Sequence, residues 1–473
     1  MRRLSRKAIG DPPPRRWQFP LWGLFVFTAL AAFWMWLAVF MFGRRGETAG
    51  QATYVVAFVA IPFVVMSLMT RPLVRRLKRR RDEKKLREAM SIYRHVPPPL
   101  PVKSPPLPTR YREIEVSGLP RELGRQLGEA ARQEICGLCE IALNRVQRIV
   151  RVRRTTAMDV ARRCIPFVED YAPHMLEELR GTAEGAGVSL DDLMLLQIRN
   201  HLQSEDVFAA MTAESGCTSL ALAAEAMEKD SAFGLVAQNW DNDPELDPFT
   251  IVLTRRPEGK PTLTTLAQAG LIGYIGFNSE GIGLCLNTLP APQRPLGVPH
   301  YFTVRAILES SSLDEAFATV SRAERAIPAN IMLNTSQGPA DLEVTLDGVR
   351  VLRDEGSGRL AHTNHCLHPD LACINEQFPE LIQSVPRRRR IDALLGISPP
   401  GGEAERVTIE RVKTALRDHD GHPRSICRHE NNDRITGYWQ TVFSVIIEPA
   451  AQRMHVTRGT PCDHEYETYL MMP

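Results

Sequence analysis

Residues 20–42 (PLWGLFVFTALAAFWMWLAVFMF) run without one charged side chain. That length matches the hydrocarbon thickness of a bilayer, where a backbone with no water to bond must close its own hydrogen bonds as a helix. A second run, 52–70 (ATYVVAFVAIPFVVMSLMT), follows a short loop and is also long enough, with Pro62 compatible with a kinked span. A secretory signal has a shorter apolar region and a small-residue cleavage site, whereas Trp and Phe dominate here and a second span follows directly. Residues 20–70 therefore read as a two-helix transmembrane hairpin. Six Lys/Arg precede it, two lie in its loop, and ten follow within residues 71–88. The positive-inside rule then puts both termini in the cytoplasm. The expectation is a multi-pass protein of the inner (cytoplasmic) membrane, with the lipid bilayer as partner and the rest of the chain facing the cytoplasm.

The charge is unevenly spread. Residues 71–88 carry +7, residues 1–16 carry +5 and the loop +1; subtracting that +13 from the net +3 leaves −10 for residues 89–473. An acidic body gives no support to a nucleic-acid partner. The basic stretch RRLKRRRDEKK can lie against an anionic leaflet, although a stop-transfer flank is its simpler role. PPPLPVKSPPLP (97–108) is an extended spacer completing a linker over 71–110. Nine cysteines form no disulfide-scaffold spacing and suit a reducing compartment. Cys136 and Cys139 make a lone C-x-x-C within a helical pattern, read as structural because no second pair exists.

Beyond the linker, residues 111–216 read as a mostly helical segment after one short strand. From Cys217 the pattern turns to strands, with CTSLALAA alternating as a half-buried strand that starts at the cysteine. FGLVAQNWD, FTIVLTRR and TLTTLAQAG follow, then YIGFNSEGIGLCLNTL as a hairpin turning at Asn278–Gly281. FTVRAILESSSLDEAFATVSRA is expected as one helix, ANIMLNTSQGPADLEVTLDGVRVL and GRLAHTNHCL as strands, and SICRHENND with TVFSVIIEPAAQRMHVTRG as strands again. This order implies an α+β fold with helices covering largely antiparallel sheets. A hairpin turn near Lys229–Asp230 would set Cys217 opposite about position 243, with Asp241 within one pair of the thiol. Asp241 as a capping residue of the Asp-Asn-Asp-Pro loop is the plainer alternative.

No phosphate-binding loop and no dinucleotide fingerprint occurs, so no cofactor is expected. Phe277–Gly281 lacks the first glycine of a nucleophile elbow. His362, His365, His368 and Cys366 suggest metal ligands, but a strand sends His362 and His365 to opposite faces, so no metal is expected there. Cys285, Cys366 and Cys427 read as core fillers.

Gly216-Cys217-Thr218, Gln238-Asn239-Trp240-Asp241, Gly276 to Gly281, His362-Thr363-Asn364-His365-Cys366-Leu367 and Ser425-Ile426-Cys427-Arg428 resemble, in that order, the acyl-coenzyme A:isopenicillin-N acyltransferase family. The resemblance runs from about residue 112 to the C-terminus. It implies the αββα sandwich of N-terminal-nucleophile hydrolases, with 217–473 as the catalytic segment. It further implies self-cleavage between Gly216 and Cys217, the thiol attacking the Gly216 carbonyl and water resolving the thioester. The freed α-amino group, with an ordinary pKa near 7.7–8.0, would serve as base. Asp241 would hold that amino group or the thiol, Asn364 would donate to the oxyanion, Arg428 would order the site, and Asn287 would contact substrate. Their plainer alternatives are a turn former for Asn364, a strand-end cap for Asn287 and a surface ion pair for Arg428. The implied reaction is hydrolysis of a small-molecule amide through a thioester, with acyl transfer from coenzyme A or an amide to an amine as alternative. An uncleaved, non-catalytic binding protein is the rival of another class.

Overall fold

The computed structural model describes residues 108–147, 152–202, 216–228, 233–354, 356–377, 384–397, 405–432 and 437–472, with 77, 78, 80, 81 and 84. The chain divides into two units, 1–82 and 83–473, and every strand described lies in the second. The expected spans 20–42 and 52–70 lie outside the described residues, as does most of the linker; among the described residues no helix is long and apolar enough to cross a membrane.

Strand β1 (Arg112–Gly118) leads into five helices: α1 (Pro120–Ala130), α2 (Arg132–Gln147), α3 (Arg154–Tyr171), α4 (Pro173–Ala186) and α5 (Leu190–Gln197). The strand-rich part begins with β2 (Thr218–Leu222), β3 (Leu235–Asn242), β4 (Thr250–Pro257), β5 (Leu263–Gln268), β6 (Ile275–Asn278) and β7 (Gly283–Thr288). Helices α6 (His300–Leu308) and α7 (Leu313–Arg322) precede β8 (Ala329–Thr335), β9 (Gly338–Val344), β10 (Val349–Arg353) and β11 (Arg359–His362). Helices α8 (Ser384–Leu395) and α9 (Ile409–Leu416) then lead to β12 (Gln440–Glu448), β13 (Arg453–Arg458) and β14 (Glu467–Leu470). Eight strands form one sheet, β1-β4-β5-β6-β7-β8-β9-β10, and six form the other, β11-β2-β3-β12-β13-β14. All neighbours run antiparallel except β1 and β4.

The two sheets face each other through β2 and β3 against β7, β8 and β9, and helices cover both outer faces. The alternation in β2 has a different meaning from the expected half-buried strand, because all five of its residues are buried. Cys217 and Ala221 belong to the core between the sheets, whereas Leu220 and Leu222 pack with Ile391 and Leu395 of α8 and Val412 and Leu416 of α9. Both sides are therefore covered, and period two sorts side chains between two interiors rather than between core and water.

The β2–β3 register also departs from expectation. Thr218 pairs with Asn239, so Cys217 falls level with Trp240 rather than position 243. The connection is no tight turn: it contains a 3-10 turn at Ala224–Ala226, and Met227 bridges to Val407. The expected single helix over 302–323 is two. Ser312 caps α7 by accepting from the Glu315 backbone, while the Glu315 carboxylate takes the Ser311 N–H, a reciprocal cap that starts a new helix. The segment Ser425–Arg428 is a loop rather than a strand. The 278–281 hairpin is as expected, with Gly281 at φ 77°, a left-handed backbone that glycine adopts without strain.

Helices α1 and α4 cross in van der Waals contact through Gly124 and Gly128 on one and Gly181 and Gly185 on the other. A Cβ on Gly124 would stand 1.8 Å from the Glu178 carbonyl oxygen, and one on Gly181 2.0 Å from that of Arg121. Backbone cannot yield as a side-chain tip can. Gly124→Ala should lower stability by ~1–3 kcal/mol, the range for overpacking an interior contact. An unchanged denaturation midpoint would show that the helices separate freely.

Candidate active site

Cys217 stands immediately before β2 and is 6 % exposed. Burial and the nearby Asp241 charge push its thiol up to about 12; the Asp241 backbone, the Arg387 charge and the Gln238 side chain pull the other way. Thiolate is therefore scarce at neutral pH, and attack requires a base at the site. Gln238 is itself held from the opposite sheet. Its Nε2 donates to Leu286 O (2.7 Å) and Asn287 Oδ1 (2.8 Å), and its Oε1 accepts from the Leu286 N–H (3.1 Å).

Asp241 follows Trp240 in β3 and is 2 % exposed. Burial raises its carboxyl to about 7, against the Arg428 and Arg387 charges and the Thr441 hydroxyl, which favour the anion. Thr441 Oγ1 donates to Oδ1 at 2.7 Å, and Oδ2 is buried without a hydrogen-bond partner. An acceptor orphaned in this way suits an ammonium or a polarised thiol beside it. The loop-capping alternative belongs to a neighbour instead: Asp243 Oδ1 accepts from the Glu245 N–H at 2.9 Å. Arg428 joins through the same threonine, its N–H donating to Thr441 Oγ1 (3.0 Å) and its carbonyl accepting from the Thr441 N–H (2.9 Å).

Asn364 is fully buried, its Nδ2 donating to Thr288 O (3.0 Å) with Thr288 Oγ1 at 3.3 Å. Asn287 lines the cavity, but its amide is committed to Ser219 Oγ (2.7 Å) and Asn330 Oδ1 (3.0 Å), and its carbonyl to Gln238.

Sequence reasoning passed over Arg387. Its Nη1 donates to Cys217 O (2.8 Å) and Thr218 Oγ1 (3.0 Å), and its Nη2 to Asn364 Oδ1 (2.9 Å). One buried guanidinium thus ties the Cys217 carbonyl to the Asn364 side chain. Gly216 lies flat against it, since a Cβ there would come within 2.5 Å of its Cζ. A signal was present: Arg387, Ile391 and Leu395 recur at i+4, so this arginine sits on the buried stripe of a charged helix.

The thiol opens onto a cleft of about 1090 Å³, counted with its solvent-open mouth, whose mixed polar and apolar wall includes the rings of Trp240, Tyr274, Tyr301, Tyr438 and Trp439. Trp240 stacks on Phe443 at 4.8 Å and meets Tyr274 edge-on, which holds the wall rigid. Arg145 and Arg199 supply positive charge, the former 3.3 Å from Asp243. The strand ends at His362, so His365 does not alternate to the opposite face and the two rings stack 6.4 Å apart; His362 Nε2 meets Glu343 Oε1 at 2.9 Å, and His365 Nδ1 meets Ser384 Oγ at 2.8 Å. Cys427, expected as a core filler, is fully buried and also adjoins Cys462 and His429.

A model of the acyl-coenzyme A:6-aminopenicillanic acid acyl-transferase family matches residues 226–463. The chain belongs to that family. It is an enzyme of the penicillin acyltransferase type, among amidohydrolases and acyltransferases. One relative is the 40 kDa form of the acyl-coenzyme A:6-aminopenicillanic-acid-acyltransferase of Emericella nidulans, 28% identical over 360 residues, 76% of this chain and 95% of the relative. Among solved structures, a penicillin V acylase from Agrobacterium tumefaciens is 11% identical with a TM-score of 0.32, covering 51% of this chain and 82% of its own. A conjugated bile acid hydrolase from Clostridium perfringens is 12% identical with a TM-score of 0.31, covering 54% and 97%.

The Asp241 carboxyl near 7 lies above the ordinary carboxylate value of about 3.9, so the native state holds the proton more tightly than the unfolded chain. The stability this adds is present below pH ~4 and is lost as pH rises through about 7, where the anion that can accept a proton accumulates. Activity should rise across the neutral range. Arg387→Met removes a positive charge and should move that rise to higher pH, while Arg387→Lys restores it. Superimposable pH–rate profiles for wild type and Arg387→Met would show that this charge does not act on Asp241.

Proposed function

We propose that this family member is a membrane-anchored cysteine N-terminal-nucleophile amidohydrolase that cleaves itself between Gly216 and Cys217. The observation that carries the reading is Cys217 at the start of β2, buried at the cleft beside a carboxyl with an orphaned oxygen. In the first step the Cys217 sulfur attacks the Gly216 carbonyl carbon as its proton leaves to a base, for which Asp241 is the nearest candidate. The C–N bond breaks, the nitrogen takes a proton to become the free α-amino group of Cys217, and the Gly216 acyl rests on sulfur as a thioester. Water then releases the Gly216 carboxylate and regenerates the thiol.

In the mature enzyme the α-amino group relays the thiol proton, with Asp241 Oδ2 as its counter-charge. The substrate amide passes through the same two stages, its amine leaving first and its acyl group second. Asn364 Nδ2 serves the oxyanion by trading one of its contacts with Thr288, a residue at the cleft wall. Loss of such a donor typically reduces turnover by about 10²–10³. Gln238 and Asn287 act as the scaffold that fixes the thiol's surroundings. Acyl transfer is the second reading, favoured by the activity for which the family and the Emericella nidulans relative are named. Water exclusion in the acyl-enzyme decides between the two acceptors.

The two products would stay together. Strand β1 pairs with β4 over its whole length, and the buried Glu178 of α4 bonds Arg255 (2.7 Å) and Arg305 (3.1 Å) in the strand-rich part. The full chain on a denaturing gel should give two fragments, one with Cys217 as its N-terminus, that co-elute under native conditions. Cys217→Ala should abolish cleavage and leave the fold intact. A single chain that also resists thiol-directed acylating reagents would sink this reading in favour of a binding protein. Placement in the inner membrane with the body cytoplasmic is tested by a reporter fused after Leu86, which should be active inside the cell.

A further inference from the structure

His419, Cys427, His429 and Cys462 bring one ligand atom each within 4.8 Å of all the others. They come from three segments: the turn after α9, the loop before β12, and the turn between β13 and β14. The contacts are 3.6 Å for Cys427 Sγ to Cys462 Sγ, 3.7 Å for Cys427 Sγ to His429 Nε2, 3.2 Å for His429 Nε2 to Cys462 Sγ, and 3.1 Å for His419 Nε2 to His429 Nε2. Bonds of about 2.3 Å to sulfur and 2.0–2.1 Å to nitrogen in a tetrahedron give edges of about 3.8 Å for S–S, 3.5 Å for S–N and 3.3 Å for N–N. The four contacts match those edges to within a few tenths of an ångström, and the remaining two, from His419 to each sulfur, lie within 4.8 Å. We propose that they form a zinc site.

Two thiols and two imidazoles meeting at one point is the donor set of tetrahedral zinc rather than of a hard cation, which takes oxygen. A disulfide between Cys427 and Cys462 would use neither imidazole. With four protein ligands no coordination position is left for water or substrate, so the ion is structural. It lies outside the thiol cleft, and none of the four residues lines that cleft. The surrounding backbone already holds the ligands in place: the Cys427 N–H donates to Asp418 O (2.9 Å), and Arg417 Nε to Pro461 O (2.7 Å). The ion would clamp this loop on both sides of Arg428, which stands between two ligands. It binds as thiolates form and two protons leave, so its free energy becomes folding free energy. This site does not depend on the reaction assigned to Cys217.

The test uses the full chain, purified under reducing conditions without chelator and analysed for metal by mass spectrometry. About one zinc per chain is expected, retained in Cys136→Ser and lost in Cys462→Ser. His419→Ala removes the exposed ligand and guards against a misfolded cysteine variant. Against a chromophoric chelator it should lose zinc at least roughly tenfold more readily, the least that losing even an outer-shell partner costs. Cobalt in place of zinc should give thiolate-to-metal absorption that Cys462→Ser lacks. The proposal is overturned if the chain holds no metal after incubation with zinc, if metal persists undiminished in both ligand variants, or if Cys427 and Cys462 are recovered as a disulfide.

Discussion

The site depends on one buried cation. Arg387 reaches from α8 to the Cys217 carbonyl, the Thr218 hydroxyl and the Asn364 side chain, fastening the start of β2 to the turn after β11. Burial lowers its own pKa to about 10, still high enough to keep it charged at neutral pH. Three directed hydrogen bonds offset part of the desolvation, as a buried guanidinium requires. Its charge also holds the Asp241 carboxyl below where burial alone would leave it. Arg387 therefore sets the geometry around Cys217 and, beside the larger effect of Arg428, the proton affinity of Asp241.

The thiol and the carboxyl are both buried, although the cleft beyond them opens to solvent. Burial raises both the thiol and the carboxyl, favouring the neutral form of each, the thiol far more than the carboxyl. A proton moved locally from sulfur is then cheaper than free thiolate in that environment. Gln238, Asn287 and Asn330 form a chain of amides between the sheets, with the Ser219 hydroxyl bonded to its middle member. This network makes the surroundings of the thiol rigid, because breaking any link strands a buried donor or acceptor.

The helical segment is no removable pro-piece. It contributes an edge strand, the carboxylate of the buried Glu178–Arg255–Arg305 cluster, and Arg145 and Arg199 of the cleft wall. Removing one member of such a cluster leaves an uncompensated charge, which explains why the two parts would remain associated after a break near residue 216.

Much of this was legible in the residues themselves. Period-two runs located most strands, Asn278–Gly281 marked a hairpin, and the ordered motifs ending in Arg428 marked the family. Those signals are local, set by the direction of side chains along a strand and by backbone preference at turns. The register of β2 on β3, the break before α7 and the loop character of Ser425–Arg428 were decided by long connections, a serine cap and packing among distant segments. The i+4 stripe could mark Arg387 as buried but not name its partners, and the His419–Cys427–His429–Cys462 cluster gave no local signal, because those partners are far apart in the chain. The sequence by itself determined which residues can react and which strands carry them. Only the tertiary structure decided which carboxyl, guanidinium and thiol are buried together, since desolvation and charge act through space and not along the chain.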